Sequence, residues 1–120
     1  MKRVLALGLD PAHADLKEMP QLTPEVIKAY IDAELSRVRD LGYDVESCLV
    51  DGGATAEAVL SSALRSRPVD CVMIGAGLRA SSQLLLFERL INCIHALAPG
   101  AKICFNTSPA DTAQAVQRWI

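Results

Sequence analysis

Continuous apolar runs alternate with helical patterns along the whole chain. The first run, Arg3 to Leu9, ends at Asp10 and has the length and composition typical of a strand that is covered on both faces. A helix then begins with Thr23 as its N-cap and Pro24 at its first position, and it ends at Gly42. These signals predict strand β1 and helix α1. The apolar stripe of α1 comprises Ile27, Ile31, Leu35, Val38 and Leu41.

The same alternation continues to the end of the sequence. In "YDVESCLVDGG" (43–53), apolar and polar residues alternate, which predicts a less thoroughly buried strand β2. The other predicted elements are helix α2 in "TAEAVLSSALRS" (55–66), capped near Thr55, strand β3 in "VDCVMIGAG" (69–77), helix α3 from a cap at Ser81 or Ser82 to about Leu97, strand β4 in "AKICFNTS" (101–108), and helix α4 after Ser108, Pro109 and Asp111.

Strands that alternate with helices at this spacing require parallel strands joined by right-handed crossovers. We therefore predict an α/β fold in three layers, a four-stranded parallel sheet with four helices, as a single domain over residues 1–120. For the strand order we favour 2-1-3-4, the flavodoxin-like arrangement without its final strand, and the alternative is the Rossmann-type order 3-2-1-4.

Composition narrows the classes of protein to which the chain can belong. Hydrophobic residues make up 51% and charged residues 22%, and the formal net charge is −2, so neither disorder nor a nucleic-acid footprint is indicated. The first apolar run stops at Asp10, and no segment approaches the roughly 20 apolar residues that span a bilayer. We expect a soluble, cytoplasmic protein with no nucleic-acid or membrane partner.

The cysteines predict no metal or redox centre. They lie far apart and form no CxxC pair, so the spacing of zinc sites and of thioredoxin-like motifs is missing. We expect four buried, reduced thiols that act as small hydrophobic side chains: Cys48, Cys71, Cys93 and Cys104. The sequence names no cofactor.

Hydrogen-bonding residues follow the carboxyl end of every predicted strand. In open parallel sheets, ligands bind at this edge where the strand order reverses, which in the favoured order lies between β1 and β3. Such loops also need glycines and helix caps in any fold, so part of this pattern is structural. The residues are Asp10, His13 and Asp15 after β1, Asp51, Gly52 and Gly53 after β2, Gly75, Gly77, Arg79, Ser81 and Ser82 after β3, and Asn106, Thr107 and Ser108 after β4.

The loop after β3 favours a small anionic ligand that carries a phosphate or a carboxylate. Glycines allow the backbone to approach a ligand, amides at the start of α3 favour negative charge, and an arginine adds a bidentate contact. Alternatively, the glycines serve only a tight turn and Arg79 faces solvent. The predicted ligand-binding residues are Gly75, Gly77, Arg79, Ser81, Ser82, Asn106 and Thr107.

Two other functions remain open on the sequence. Asp10, His13 and Asp51 provide carboxylates beside an imidazole, which suits acid–base chemistry or a divalent cation in a small hydrolase or transferase. Helix α3 is apolar over more than one stripe, so it is either unusually buried or contacts a second subunit. We expect the latter, a homodimer through a face formed by Leu86, Leu90 and Ile94.

The segment "VMIGAGLRASSQLLLF" resembles the corresponding region of universal stress proteins, in which a strand precedes a glycine-containing ATP loop. The resemblance runs from Met73 to Phe87. That family spaces its first glycines more widely and carries a later Gly-Ser pair, whereas only Ala76 separates Gly75 from Gly77 and Glu88 follows Phe87. The resemblance therefore does not imply ATP binding. At the level of fold, the chain resembles small flavodoxin-like proteins of unassigned function, which implies no activity.

Overall fold

Strands and helices alternate along the chain, as the apolar pattern predicts. The computed structural model describes residues 1–14, 16 and 21–120. Its strands are β1 (Arg3–Leu9), β2 (Asp44–Val50), β3 (Cys71–Ile74) and β4 (Lys102–Phe105), and its helices are α1 (Pro24–Asp40), α2 (Ala56–Ser66), α3 (Leu84–Leu97) and α4 (Thr112–Gln117). Short 3₁₀ turns lie at Pro11–His13, Ala76–Arg79, Ser81–Gln83 and Pro109–Asp111. No helix in the described ranges is both long enough and apolar enough to cross a bilayer.

The four strands form one parallel sheet in the order β2-β1-β3-β4. Helices α1 and α4 cover one face, and α2 and α3 cover the other. The predicted three-layer α/β fold and the order 2-1-3-4 are confirmed, and the Rossmann-type order is excluded. Because the chain leaves β1 toward β2 and returns beyond β1 to β3, the strand order reverses between β1 and β3.

Strand β1 shows why the sequence folds in this way. Leu5 and Leu7 are fully buried against α2 and α3, whereas Val4 and Ala6 face α1 and α4. Successive side chains of a strand point to opposite faces, so a continuous apolar run satisfies both helical layers. Burying a leucine side chain contributes about 1.5–3 kcal/mol.

The helix ends follow the predicted capping chemistry. The Thr23 hydroxyl accepts a hydrogen bond from the Val26 amide at 3.2 Å, and Gly42 adopts a left-handed backbone with φ of 99°. Before α4, Ser108 and Asp111 form a reciprocal capping box. Each of these devices satisfies backbone groups that a helix end leaves unpaired.

Helix α3 begins later than the sequence predicts. It starts at Leu84, and Ser81 and Ser82 belong to a separate 3₁₀ turn instead of capping the helix. Leu78 is fully buried in the core beneath α2 and α3, and Ala80 has an extended backbone. The loop after β3 therefore enters the core at Leu78 and leaves it again before helix α3 begins.

The prediction that Leu86, Leu90 and Ile94 form an exposed contact face of α3 is wrong. Leu86, Leu90 and Ile94 are only 5%, 0% and 1% exposed, because they pack into the core of this chain against α2 and the sheet. The exposed leucines of α3 are Leu84 and Leu85. A homodimer stays a prediction, but these three side chains are not available to form it.

The four cysteines are buried and unbridged, as predicted. Burial raises the pKa of the Cys48 thiol to about 11, so this group stays protonated at neutral pH. Cys71 and Cys104 lie on the neighbouring strands β3 and β4, with their sulfur atoms 3.5 Å apart. They behave as the small hydrophobic side chains that the sequence predicts.

Arginines cover one carbonyl on each outer strand of the sheet. The amides of Asp44 and Lys102 donate inward, toward β1 and β3. The hydrogen-bonding groups of successive residues in a strand point in opposite directions, so the carbonyls of Val45, one residue after Asp44, and Phe105, three residues after Lys102, point outward. The Arg39 guanidinium donates to the Val45 oxygen at 3.0 Å, and that of Arg118 donates to the Phe105 oxygen at 2.8 Å.

Candidate functional site

A cavity of about 180 Å³ lies at the carboxyl ends of β1 and β3. It lies between the sheet and the layer of α1 and α4 and is partly open to solvent, at the point where the strand order reverses. This is the place at which parallel sheets of this kind bind ligands. The lining residues are Ala6, Leu7, Gly8, Leu9, Pro11, Ala14, Ile27, Ile31, Ser47, Leu49, Met73, Gly75, Ala76, Gly77, Asn106, Pro109 and Thr112.

Small residues on one face of the sheet create this space. Ala6 and Gly8 of β1, Ser47 of β2 and Gly75 after β3 lie on the side of the sheet that faces α1. Leu35 and Val38 of α1 pack against this face of the sheet, and Ile27 and Ile31, nearer the start of the helix, line the cavity. The result is an interior surface that is mainly apolar.

The buried polar side chains of the cavity wall are Asn106 and Thr112, and Ser47 adds an exposed hydroxyl. Asn106 is 95% buried, and its Nδ2 donates to the Thr112 hydroxyl at 3.2 Å. The Thr112 hydroxyl in turn donates to the Pro109 oxygen at 2.7 Å. These bonds fix both side chains, so the wall presents one preorganised amide to the interior.

Two main-chain amides stand at the mouth of the cavity. Ala76 and Gly77 line the cavity and are also exposed, and they begin a 3₁₀ turn. Their amide groups have no acceptor among the described residues. Successive amides at the start of such a turn suit an oxygen of a ligand.

Arg79 points away from the cavity and ties together the ends of two strands. Its guanidinium donates to the main-chain oxygens of Ile74 and Asn106 and, at 3.3 Å, to Oδ1 of Asn106. It also lies over the ring of Phe105, 4.9 Å from the ring centroid. Partial burial lowers the pKa of Arg79, and the charge of Asp111 opposes this effect. Most of its hydrogen-bonding capacity is therefore occupied within the chain.

The other predicted ligand residues divide into two groups. Gly75, Gly77 and Asn106 line the cavity, whereas Ser81, Ser82 and Thr107 do not. The Thr107 hydroxyl donates to the Asp111 carboxylate at 2.6 Å, and this bond contributes most to lowering the pKa of Asp111. An anion-binding role for the residues outside the cavity stays a prediction.

Asp10, His13 and Asp51 lie at the same edge of the sheet but outside the cavity lining. The Asp10 carboxylate accepts from the Ala12 amide at 3.0 Å, so it caps the turn that contains His13. Asp51 caps the loop before α2 through bonds from Gly53 and Thr55, and these bonds lower its pKa, with a further contribution from His13. A catalytic role for the three residues stays a prediction.

Among the described residues at this edge, no group of three or more His, Cys, Asp or Glu side chains is arranged to hold a metal ion. Asp15, which the sequence places with this group, lies outside the described residues.

Sequence reasoning missed the apolar part of the site. In β1 the large residues Leu5, Leu7 and Leu9 alternate with Ala6 and Gly8. This alternation of large and small side chains was the available signal, since it places the small residues together on one face.

No protein-family model matches this sequence, and no curated protein is detectably similar to it.

Proposed function

We propose that this protein binds a small carboxylate whose apolar body fills the cavity at the carboxyl ends of β1 and β3. The observation that carries the proposal is a partly open apolar space at the reversal of strand order, whose mouth holds two amides with no acceptor among the described residues. Small-molecule sites commonly combine an apolar lining with a few fixed polar groups. The likeness to flavodoxin-like proteins is proposed for the fold alone and adds no activity.

The volume limits the size of the ligand. An apolar cavity of about 150 Å³ accommodates benzene, so a space of about 180 Å³ suits a body of roughly that size. A nucleotide would extend well beyond this space. We therefore propose a short-chain or single-ring body for the part of the ligand that lies inside it.

The charges at this edge favour a carboxylate over a phosphate. The Arg79 guanidinium is bonded to main-chain oxygens, and three carboxylates, Asp10, Asp51 and Asp111, cap turns at the same edge. A dianion would meet stronger repulsion from these groups than the single charge of a carboxylate would. The amides of Ala76 and Gly77 suit the single charge of a carboxylate.

The test is an NMR titration of the protein with pentanoate, benzoate and inorganic phosphate. We expect both carboxylates to shift the amide signals of Ala76 and Gly77 saturably, and phosphate to shift neither. In Ala6→Leu, the added side chain occupies the cavity, and we expect at least tenfold weaker binding of both carboxylates.

Ala33→Leu is the matched control, because it makes the same change on the exposed side of α1. It should bind the carboxylates as the wild type does. Absence of a saturable shift with either carboxylate, or equal binding by Ala6→Leu, would overturn the proposal.

A further inference from the structure

A chain of hydrogen bonds fixes which atom Asn106 presents to the cavity. Arginine has donors and no acceptor, so the amide atom that faces Arg79 Nη1 at 3.3 Å is the oxygen, Oδ1. The nitrogen Nδ2 then faces Thr112 Oγ1 at 3.2 Å. The Thr112 hydroxyl donates its only proton to the Pro109 oxygen, at 2.7 Å, so its oxygen must accept the hydrogen bond from Asn106 Nδ2.

This polarity leaves one Asn106 amide proton available at the cavity wall, which the Ser47 hydroxyl also lines. An amide nitrogen carries two protons, and only one of those on Asn106 has an acceptor among the described residues. Asn106 is 95% buried and lines the cavity, so water does not readily satisfy the second proton. A ligand that offers an acceptor oxygen at this point gains a hydrogen bond, and a pure hydrocarbon body does not.

We propose that the ligand is a small oxo-carboxylate, with its carboxylate at the amides of Ala76 and Gly77 and its carbonyl oxygen accepting from Asn106 Nδ2. This inference rests on the proposed function and adds the second polar group of the ligand. A carbonyl suits the site better than a second charge, because the described residues that line the wall include no Lys, Arg or His and a buried negative charge requires a cation. Arg79 and Thr112 act as positioning residues, since they hold the Asn106 amide in one orientation.

The experiment compares three ligands of equal chain length: pentanoate, 2-oxopentanoate and 4-oxopentanoate. The dissociation constants of all three ligands are measured on the same protein. General effects of a substitution on stability therefore cancel in the ratio of the dissociation constant for pentanoate to that for the tighter oxo acid. We expect wild type to bind one oxo acid about three- to tenfold more tightly than pentanoate, as one hydrogen bond to a buried neutral donor provides.

Asn106→Asp replaces the donor with an acceptor of the same shape. In this variant, we expect the dissociation constant for pentanoate, divided by that for the tighter oxo acid, to be one or less. Asn92→Asp adds the same charge on the exposed side of α3 and should keep the wild-type ratio. If Asn106→Asp fails to fold, Thr112→Val serves instead, because it lets the Asn106 amide rotate and should also reduce the ratio toward one.

The outcomes separate this inference from the proposed function. If pentanoate binds but no oxo acid binds more tightly to wild type, or if the preference survives in Asn106→Asp, the oxo group is wrong while carboxylate binding stands. If no carboxylate binds, both proposals fail. A preference that is present in wild type and Asn92→Asp and lost in Asn106→Asp supports the assignment.

Discussion

Replacing Arg79 with alanine should destabilise the fold even when no ligand is present. The substitution removes the guanidinium that donates to Ile74 and Asn106 at the ends of β3 and β4. It also removes the contact with the ring of Phe105. Two main-chain oxygens and one amide oxygen would then need other donors.

The size of the effect follows from these contacts. A hydrogen bond from a charged donor contributes about 1.5–3 kcal/mol, and a cation over an aromatic ring at a partly exposed site adds about 0.5–1 kcal/mol. Arg79 is half-buried, so water replaces part of what is lost. After this discount, we expect the free energy of unfolding to fall by about 2–4 kcal/mol.

Equilibrium unfolding in urea measures this loss, with circular dichroism as the signal. Arg89→Ala is the matched control: Arg89 is exposed on α3 and makes no side-chain hydrogen bond to the described residues, so its loss should stay within about 0.5 kcal/mol. Arg79→Lys should recover only part of the stability, because an ammonium group does not bridge both strand ends. A loss below about 0.5 kcal/mol in Arg79→Ala would refute the reasoning.

Three further predictions concern pH, the backbone and the core. The pKa values of Asp51 and Asp111 are lowered from 3.8 by hydrogen bonds in the fold, so their stabilisation is present above about pH 4 and is lost as pH falls through the folded-state values. Urea unfolding between pH 2 and 7 should show this loss, and a double Asn variant should flatten it. Gly42→Ala should cost about 1 kcal/mol because φ is 99°, whereas Gly100→Ala, in open space without a positive φ, should not destabilise; equal effects in urea would contradict this. Leu90→Ala should cost about 2–5 kcal/mol in the same assay, since the side chain is fully buried, and a loss under 1 kcal/mol would place Leu90 outside the core.

Local signals predicted the elements well where the determinants are close in sequence. Strand β1 runs over Arg3–Leu9 as its apolar run indicates, and α1 begins after Thr23 and stops before Gly42. The start of α3 was wrong because the burial of Leu78 depends on the core that α2 and α3 form together. Short-range capping rules contain no information about that packing.

The candidate site was predictable in its place and not in its chemistry. The position of the cavity follows from the strand order and the general rule for parallel sheets. The partners of Arg79 depend on β4 lying beside β3, which brings Asn106 to the guanidinium from a distant part of the sequence. A pattern of glycines and an arginine after a strand therefore indicated an anion site, although the arginine bonds to the chain itself.

The arginines on the outer strands bear on how this protein behaves at high concentration. An unpaired strand edge is a template on which a strand of another chain can add, and such addition leads to aggregation. Here a strand added at β2 would have to displace Arg39 from the Val45 oxygen, and one added at β4 would have to displace Arg118 from the Phe105 oxygen. In either case, the displaced guanidinium would be buried beside the backbone of the added strand. Each outer edge of the sheet therefore carries a bonded arginine that hinders the addition of another strand at β2 or at β4.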